Sequence, residues 1–188
     1  MKLQTPRLIL RDIKKTDAES IRKNINNLKI SKWLLVVPYP YKKSDANWWT
    51  NHCEEQQKKK PRTDYSFGIA IKPNNNIVGG IGLSKVDKYQ GRATLGYWIG
   101  EEYWGNKYMY EATKQMINFG FNKLNLRRID VEAFTENEPS NNLIKKLGFT
   151  YEGTMRKALR CKATGKILDG HYYGMLKKDW VKIRKKLK

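Results

Sequence analysis

Cysteine is nearly absent from this chain: two in 188 residues, Cys53 and Cys161, far apart and without Cys-x-x-Cys spacing, beside only two histidines, His52 and His171. That scarcity argues against a disulfide framework and against a zinc-type cluster, so the expectation is two free thiols in a reducing cytoplasm and no metal. No apolar run approaches the roughly 18 residues of a membrane span. Pro6, Arg7, Arg11 and Asp12 interrupt the apolar core that a secretion signal would need, and no membrane partner is expected. Internal repeats and low-complexity linkers are also missing, so residues 1–188 read as a single domain with a full core. Acidic residues are scarce as well: 18 Asp and Glu stand against 38 Lys and Arg, a net charge of +20. Such an excess repels cationic ligands over about a Debye length, ~8–10 Å, and favours nucleic acid, a ribosome or a phosphorylated cofactor. The lysine-rich blocks at 58–60 and 184–186 read equally well as solvated faces.

What is present is periodicity. Residues 3–11 hold a β-type apolar run, and Thr16 or Asp17 has the chemistry of an N-cap for a helix carrying Ile21, Ile25 and Leu28 on one side. A connector rich in proline and aromatics follows, where Pro38 and Pro40 forbid regular helix. Ser44 or Asp45 caps a second helix running through Trp48, Trp49 and Cys53 towards Gln57. From residue 65 the period falls to two, with strands at 66–72, 77–85 and 93–100 and a hairpin turn at Asn74-Asn75-Asn76. Residues 108–124 place Met109, Ala112, Met116 and Phe119 or Gly120 along a helical stripe. A strand at 128–134, a short helix at 140–147 with Gly148 at its C′ position, and strands at 150–159 and 167–176 follow. Trp180, Ile183 and Leu187 form a last packing stripe. The sum is an α/β fold: a mixed, mainly antiparallel twisted sheet flanked by helices.

The stretch 95–112, LGYWIGEEYWGNKYMYEA, carries the most chemistry. Its apolar strand stops at Gly100, and a turn with Gly105, Asn106 and Lys107 opens the long helix. The first N–H groups of a helix have no internal partner and its dipole favours negative charge there, which suits a pyrophosphate.

Several ordered motifs make that turn specific. LQTPRLILRDIKKTDAESI at the start, PYPY followed by Ser44-Asp45-Ala46, IVGGIGL, LGYWIGEEYWG, NEPSNNLIKKLGF, EGTMRKAL and the ending GKILDGHYYGMLKKDW stand in order along almost the whole chain. Together they resemble the Gcn5-related N-acetyltransferase superfamily and, more narrowly, its ribosomal-protein N-acetyltransferase branch (the RimJ/RimL type). The resemblance implies acetyl-coenzyme A as cofactor and transfer of its acetyl group to a primary amine. It implies that the strand holding Tyr97, Trp98 and Ile99 splays from its neighbour, pairs through its backbone with the pantetheine arm and polarises the thioester carbonyl, as an oxyanion hole does. The turn from Trp104 through Gly105, Asn106, Lys107 and Tyr108 to Met109 would wrap the pyrophosphate, and Asn137 would hydrogen-bond the cofactor arm. The family usually has a second glycine and a small residue where this chain has Lys107 and Met109. Lysine can turn its stem outward and bring its ammonium to the anion, whereas a side chain at a glycine position can also crowd the phosphates.

Amide formation needs a neutral amine, a polarised thioester and a proton for the leaving thiolate. Glu132 stands five residues before Asn137, at the offset of a base glutamate in some related N-terminal acetyltransferases, and is the candidate general base. The tyrosine that many members use as general acid is replaced by Ile144, which leaves Ser140 as the proton donor, unless Ser140 only caps its helix. Tyr39, Asp169 and His171 are the candidate acceptor-binding residues; Asp169 orients an amine or braces a strand. The implied acceptor is a protein N-terminal amine, a ribosomal protein among the candidates. A small amine (polyamine, aminoglycoside or amino acid) is the alternative within the enzyme class, and a non-catalytic RNA- or ribosome-binding scaffold the alternative outside it. Monomer and homodimer both stay open.

Overall fold

A computed structural model describes residues 1–185 of the chain. Its strands are β1 (Lys2–Gln4), β2 (Leu8–Asp12), β3 (Tyr65–Ile71), β4 (Ile77–Asp87), β5 (Arg92–Ile99), β6 (Arg128–Phe134), β7 (Thr150–Arg160) and β8 (Ile167–Leu176). Its helices are α1 (Ala18–Ile25), α2 (Leu28–Ser31), α3 (Lys43–Lys58), α4 (Tyr108–Asn122), α5 (Glu138–Lys146) and α6 (Lys177–Ile183). The strands form one sheet in the order β1-β2-β3-β4-β5-β6-β8-β7. All neighbours are antiparallel except β5 and β6, whose parallel pairing needs a crossover that α4 supplies.

Alternation along the strands divides the core. Leu10, Phe67, Ile69, Leu83 and Leu95 are buried in one cluster with Ala112, Met116 and Phe119 of α4. Ala70 and Trp98, out of phase with Ile69 and Leu95, pack with Ile21, Ile25 and Cys53 of α1 and α3 on the other face, and a bulge between β3 and β4 brings Ile77 to the same side. At Gly120 the backbone of α4 comes so close to the sheet that a Cβ would lie 2.9 Å from the δ-methyls of Leu83 and Ile129. Close seating of this helix sets the position of its N-terminus, where the candidate site begins.

Four local expectations change. The run 3–11 is two strands folded on one another, with Leu3 opposite Leu10, because Thr5-Pro6-Arg7 turns the chain and Pro6 has no N–H for a ladder. Neither Thr16 nor Asp17 caps α1 through its side chain. The Asp17 carboxylate is instead buried against Arg11, with Nη1···Oδ2 at 2.7 Å and Nη2···Oδ1 at 2.8 Å, and also accepts the Lys14 N–H at 2.8 Å. Leu28 falls on the separate helix α2 and is exposed. Helix α3 starts at Lys43, and Asp45 serves it from the third position, accepting the Lys42 N–H at 2.8 Å. At the other end Gly148 has φ +88° directly after the last residue of the α5 cap, Trp180 is buried, and Ile183 packs on the core. Leu187 of the expected last stripe lies outside the described residues.

The feature that positions the site is a fork. β5 and β6 pair only over four residues each, from Arg92 opposite Arg128 to Leu95 opposite Val131. Beyond that point β5 stays paired with β4 as far as Ile99 opposite Gly79, and β6 stays paired with β8 as far as Phe134 opposite Gly170. The inner edges between residues 96–99 and 132–134 therefore face each other without a ladder.

Candidate active site

A cleft of about 1330 Å³ opens at the fork, lined by β4, β5, β6, α4 and α5 and by the connector and helices of the other face. Alternation sorts its side chains onto the two faces of the sheet. Tyr97 follows Leu95 by two residues and lies on the α4 side, whereas Trp98 lies on the α1 and α3 side with Glu132, which is directly across from Tyr172 of β8. The cleft touches both groups through the gap, so a ligand held on the α4 side reaches chemistry on the opposite side.

On the α4 side the turn 104–107 is tightly built. Gly105 has φ +76°, and Asn106 donates through Nδ2 to the carbonyls of Trp104 at 3.0 Å and Tyr103 at 3.3 Å. The Trp104 indole donates to the Ile99 carbonyl at 3.1 Å, so this one main-chain acceptor at the strand end is already engaged. Lys107, the N-cap, takes the left-handed conformation (φ 61°, ψ 13°) that a glycine would hold without strain. No side chain among the described residues caps α4, and its first internal bond is Glu111 N–H to Lys107 carbonyl at 3.1 Å. The N–H groups of Tyr108, Met109 and Tyr110 precede that bond and have no helical acceptor. Lys107 lines the cleft beside this helix end, and Lys146, from the last turn of α5, joins it with its ammonium 5.3 Å from the Tyr110 ring centre. Tyr108 packs under the Arg7 guanidinium, 4.6 Å from its ring centre.

Helix α5 brings the next residues in. Its N-cap is Asn137, not Ser140: Asn137 Oδ1 accepts the Ser140 N–H at 3.4 Å, and Pro139 sits in the first turn, where its missing N–H is harmless. Among the described residues the Asn137 amide Nδ2 has no hydrogen-bond partner, and Asn137 lines the cleft. Ser140 Oγ lies 2.9 Å from the Tyr97 hydroxyl, whose crowding by surrounding protein pushes its pKa up to about 12 against a smaller lowering from Ser140. Ile144 is fully buried, as its place on the inner face of α5 requires.

On the opposite side, burial and the adjacent Glu132 carboxylate hold the Tyr172 hydroxyl above the ordinary tyrosine range. Trp33 and Leu35 from the connector cover this region against Phe134, with the Trp33 and Phe134 ring centres 6.3 Å apart. The connector is pinned there by the Lys162 N–H donating to the Leu35 carbonyl at 3.1 Å. Asp45 and Asp64 also line the cleft, but Asp45 is committed to the start of α3 and Asp64 accepts from Ser66 at 2.5 Å.

The three expected acceptor residues lie elsewhere. Tyr39 is exposed and outside the cleft lining, which takes its neighbour Tyr41 instead. Asp169 accepts the backbone N–H of Lys157 at 2.9 Å, a contact that, with the Lys157 charge, holds its carboxyl below the usual range. It thereby braces an irregular stretch of β7, where Lys157 has φ 50° and the register shifts. His171 pairs with Ala133, one residue out of phase with Glu132, and so faces away from it. Its Nδ1 is 2.6 Å from Thr154 Oγ1, and its ring meets Tyr151 edge-on at 5.3 Å. Sequence reasoning missed Tyr172, Lys146 and the hydroxyl of Tyr97 as a partner of Ser140. Period-two alternation could have placed Tyr172 on its face, but not opposite Glu132, because that depends on a register between distant strands.

The forked sheet, the uncapped helix start and the carboxylate across the gap all open on one cleft. The chain belongs to the GNAT family: the family model described as Acetyltransferase (GNAT) domain matches residues 7–150. It is an N-acetyltransferase, and its acetyl donor is acetyl-CoA. It is 29% identical over 185 residues to the uncharacterized N-acetyltransferase p20 of Bacillus licheniformis, covering 95% of this chain and 97% of that one. It is 30% identical over 175 residues to the uncharacterized N-acetyltransferase YoaA of Bacillus subtilis (strain 168), covering 93% and 96%. Among solved structures, RimL, a ribosomal L7/L12 alpha-N-protein acetyltransferase in complex with coenzyme A, shares the fold with a TM-score of 0.82 at 17% identity, covering 94% of this chain and 98% of that one. Among the described residues, no three His, Cys, Asp or Glu side chains converge as metal ligands, and no helix is long and apolar enough to cross a membrane.

Proposed function

We propose that this acetyltransferase acts on the free amino terminus of a protein, a ribosomal protein being the natural candidate. The observation that carries the reading is Glu132: a cleft-lining carboxylate where β6 has parted from β5, across the sheet from Ser140. A protein N-terminus has a pKa near ~7.7–8.0, so about a third of it is neutral at pH 7.5, against about a thousandth of a lysine. One carboxylate, acting through a water, is base enough for the first and poorly matched to the second. The cleft lining adds six lysines (Lys29, Lys32, Lys85, Lys107, Lys146 and Lys162) against Asp45, Asp64 and Glu132, a balance that opposes a polyamine. The RimL fold likeness supports the same acceptor class.

In this assignment the α4 N–H groups and Lys107 hold the diphosphate, Asn137 Nδ2 holds the pantetheine arm, and backbone groups of Tyr97, Trp98 and Ile99 direct the thioester. Acetyl-CoA supplies an activated acetyl group. Glu132 would take the proton that the attacking amine loses, Ser140 would hydrogen-bond the sulfur as the C–S bond breaks with its electron pair, and that proton would pass through water to the thiolate. The apolar cover of Trp33, Leu35 and Trp98 limits water around the reacting atoms. Acetyl transfer to N-terminal peptides, including those of ribosomal proteins, measured beside spermidine and an aminoglycoside, tests the acceptor. Peptides are expected to turn over fastest, and Glu132→Gln to lower kcat about a hundredfold or more. Faster turnover of spermidine would refute the acceptor class; full activity after the Glu132→Gln substitution would remove Glu132 from the chemistry.

A further inference from the structure

Helix α5 turns buried Ile144 inward, and the tyrosine hydroxyl that meets Ser140 comes instead from the sheet. We propose that Tyr97 is a positioning residue for Ser140: its hydroxyl donates to Ser140 Oγ and thereby turns the serine's own proton into the cleft, towards the departing sulfur. The inference rests on Ser140 acting at that sulfur.

The direction of the hydrogen bond follows from what each hydroxyl can do. Among the described residues, Ser140 Oγ is the partner of the Tyr97 hydroxyl, at 2.9 Å. The Tyr97 side chain is half-buried, and desolvation by the surrounding protein pushes its pKa further above the neutral range, to about 12. A crowded donor needs an acceptor, and the serine oxygen supplies it. Both residues line the cleft, and a phenol is a better donor and a poorer acceptor than an aliphatic hydroxyl, so the bond runs from tyrosine to serine and leaves the serine's own proton for the cleft. The serine is held at its other end by Asn137 Oδ1 accepting its N–H, so backbone and side chain are both fixed before substrate arrives. An oxygen that accepts a hydrogen bond is also a better donor, since successive bonds polarise one another.

The chemistry balances without an alkoxide. The amine nitrogen bonds to the acetyl carbon, the C–S bond gives its electron pair to sulfur, and the Ser140 O–H hydrogen-bonds the resulting thiolate. The proton lost by the amine passes through Glu132 and water and ends on the thiol. Tyr97 and Ser140 finish in the protonation states in which they began.

The test uses the product, coenzyme A, and so needs no acceptor. The thiol of bound coenzyme A is titrated through the ultraviolet absorbance of its thiolate, in wild type, Tyr97→Phe, Ser140→Ala and the double variant. A hydrogen bond to the charged sulfur lowers the bound thiol's pKa, so each single variant is expected to raise it by about one pH unit. The double variant should add nothing further, and Tyr97→Phe should leave the affinity for protonated coenzyme A within about twofold, because its ring is retained. A Tyr97→Phe titration that matches wild type while Ser140→Ala shifts would overturn the proposal, as would additive shifts. Failure of the acceptor assignment would leave this titration unaffected, so the two readings fail separately.

Discussion

Lys107 offers a sharp test of how the chain grips a phosphorylated carrier. It stands at the start of α4 in the left-handed conformation, φ 61° and ψ 13°, with no side chain capping the helix. Two costs and one gain meet at this position. A non-glycine residue in that conformation costs on the order of 1–2 kcal/mol. Glycine would remove that strain but widen the unfolded ensemble, at about 0.5–1 kcal/mol, so Lys107→Gly should move the melting temperature by no more than a few degrees. The residue is exposed, and solvent reduces a charge-assisted contact there to about 1 kcal/mol. In affinity that is about fivefold. Calorimetric titration with acetyl-CoA should therefore show Lys107→Met and Lys107→Gly binding about fivefold more weakly at 0.1 M salt, with the difference nearly gone at 1 M, where the Debye length is ~3 Å. Equal affinity for wild type and the Met variant at low salt would remove the contact. Tighter binding by the Gly variant would show that the side chain crowds the phosphates instead.

Three further outcomes are expected. Asn137→Ala should lose about 1 kcal/mol of stability in urea denaturation through its N-cap, and lose turnover strongly through the cofactor arm; unchanged values for both would displace it from the site. Arg11→Met should destabilise by roughly 3–5 kcal/mol, because it leaves Asp17 buried without its partner; Arg11→Met with Asp17→Leu should recover part of that loss in the same assay. The Tyr97 hydroxyl is raised to about 12 from an ordinary value near 10, so its folded-state protonation favours the fold below pH 10, and that advantage is lost as pH rises from 10 to 12. Thermal melts across that window should fall more steeply for wild type than for Tyr97→Phe, and parallel curves would contradict the assigned shift.

The strands were legible where alternation was strong and neighbours were close in sequence. β6 and β8 have the bounds their hydrophobic pattern predicts, and the turn at 104–107 precedes its helix as the glycine and the apolar stripe require. What escaped depends on partners far along the chain. Asp17 looks like a cap until Arg11 is brought against it from β2, and Ser140 looks like one until Asn137 takes the position. Asp169 and His171 sit beside a candidate motif in the chain, yet the phase of β8 turns His171 away and Asp169 is occupied by the irregularity of β7. Capping and alternation are local properties, whereas the side on which a strand meets its neighbour is decided by the whole sheet.

The fork also has a mechanical meaning. Five strands lie on one bank and three on the other, and the main-chain ladder between them is the short stretch ending at Leu95 and Val131. A carrier that hydrogen-bonds along the inner bank of β5 and presses on α5 does the work of an absent rung, so grip on the carrier and stiffness of the seam rise together. Substitutions that loosen the seam would thus surface first as weaker carrier affinity, even when they lie far from any atom that reacts.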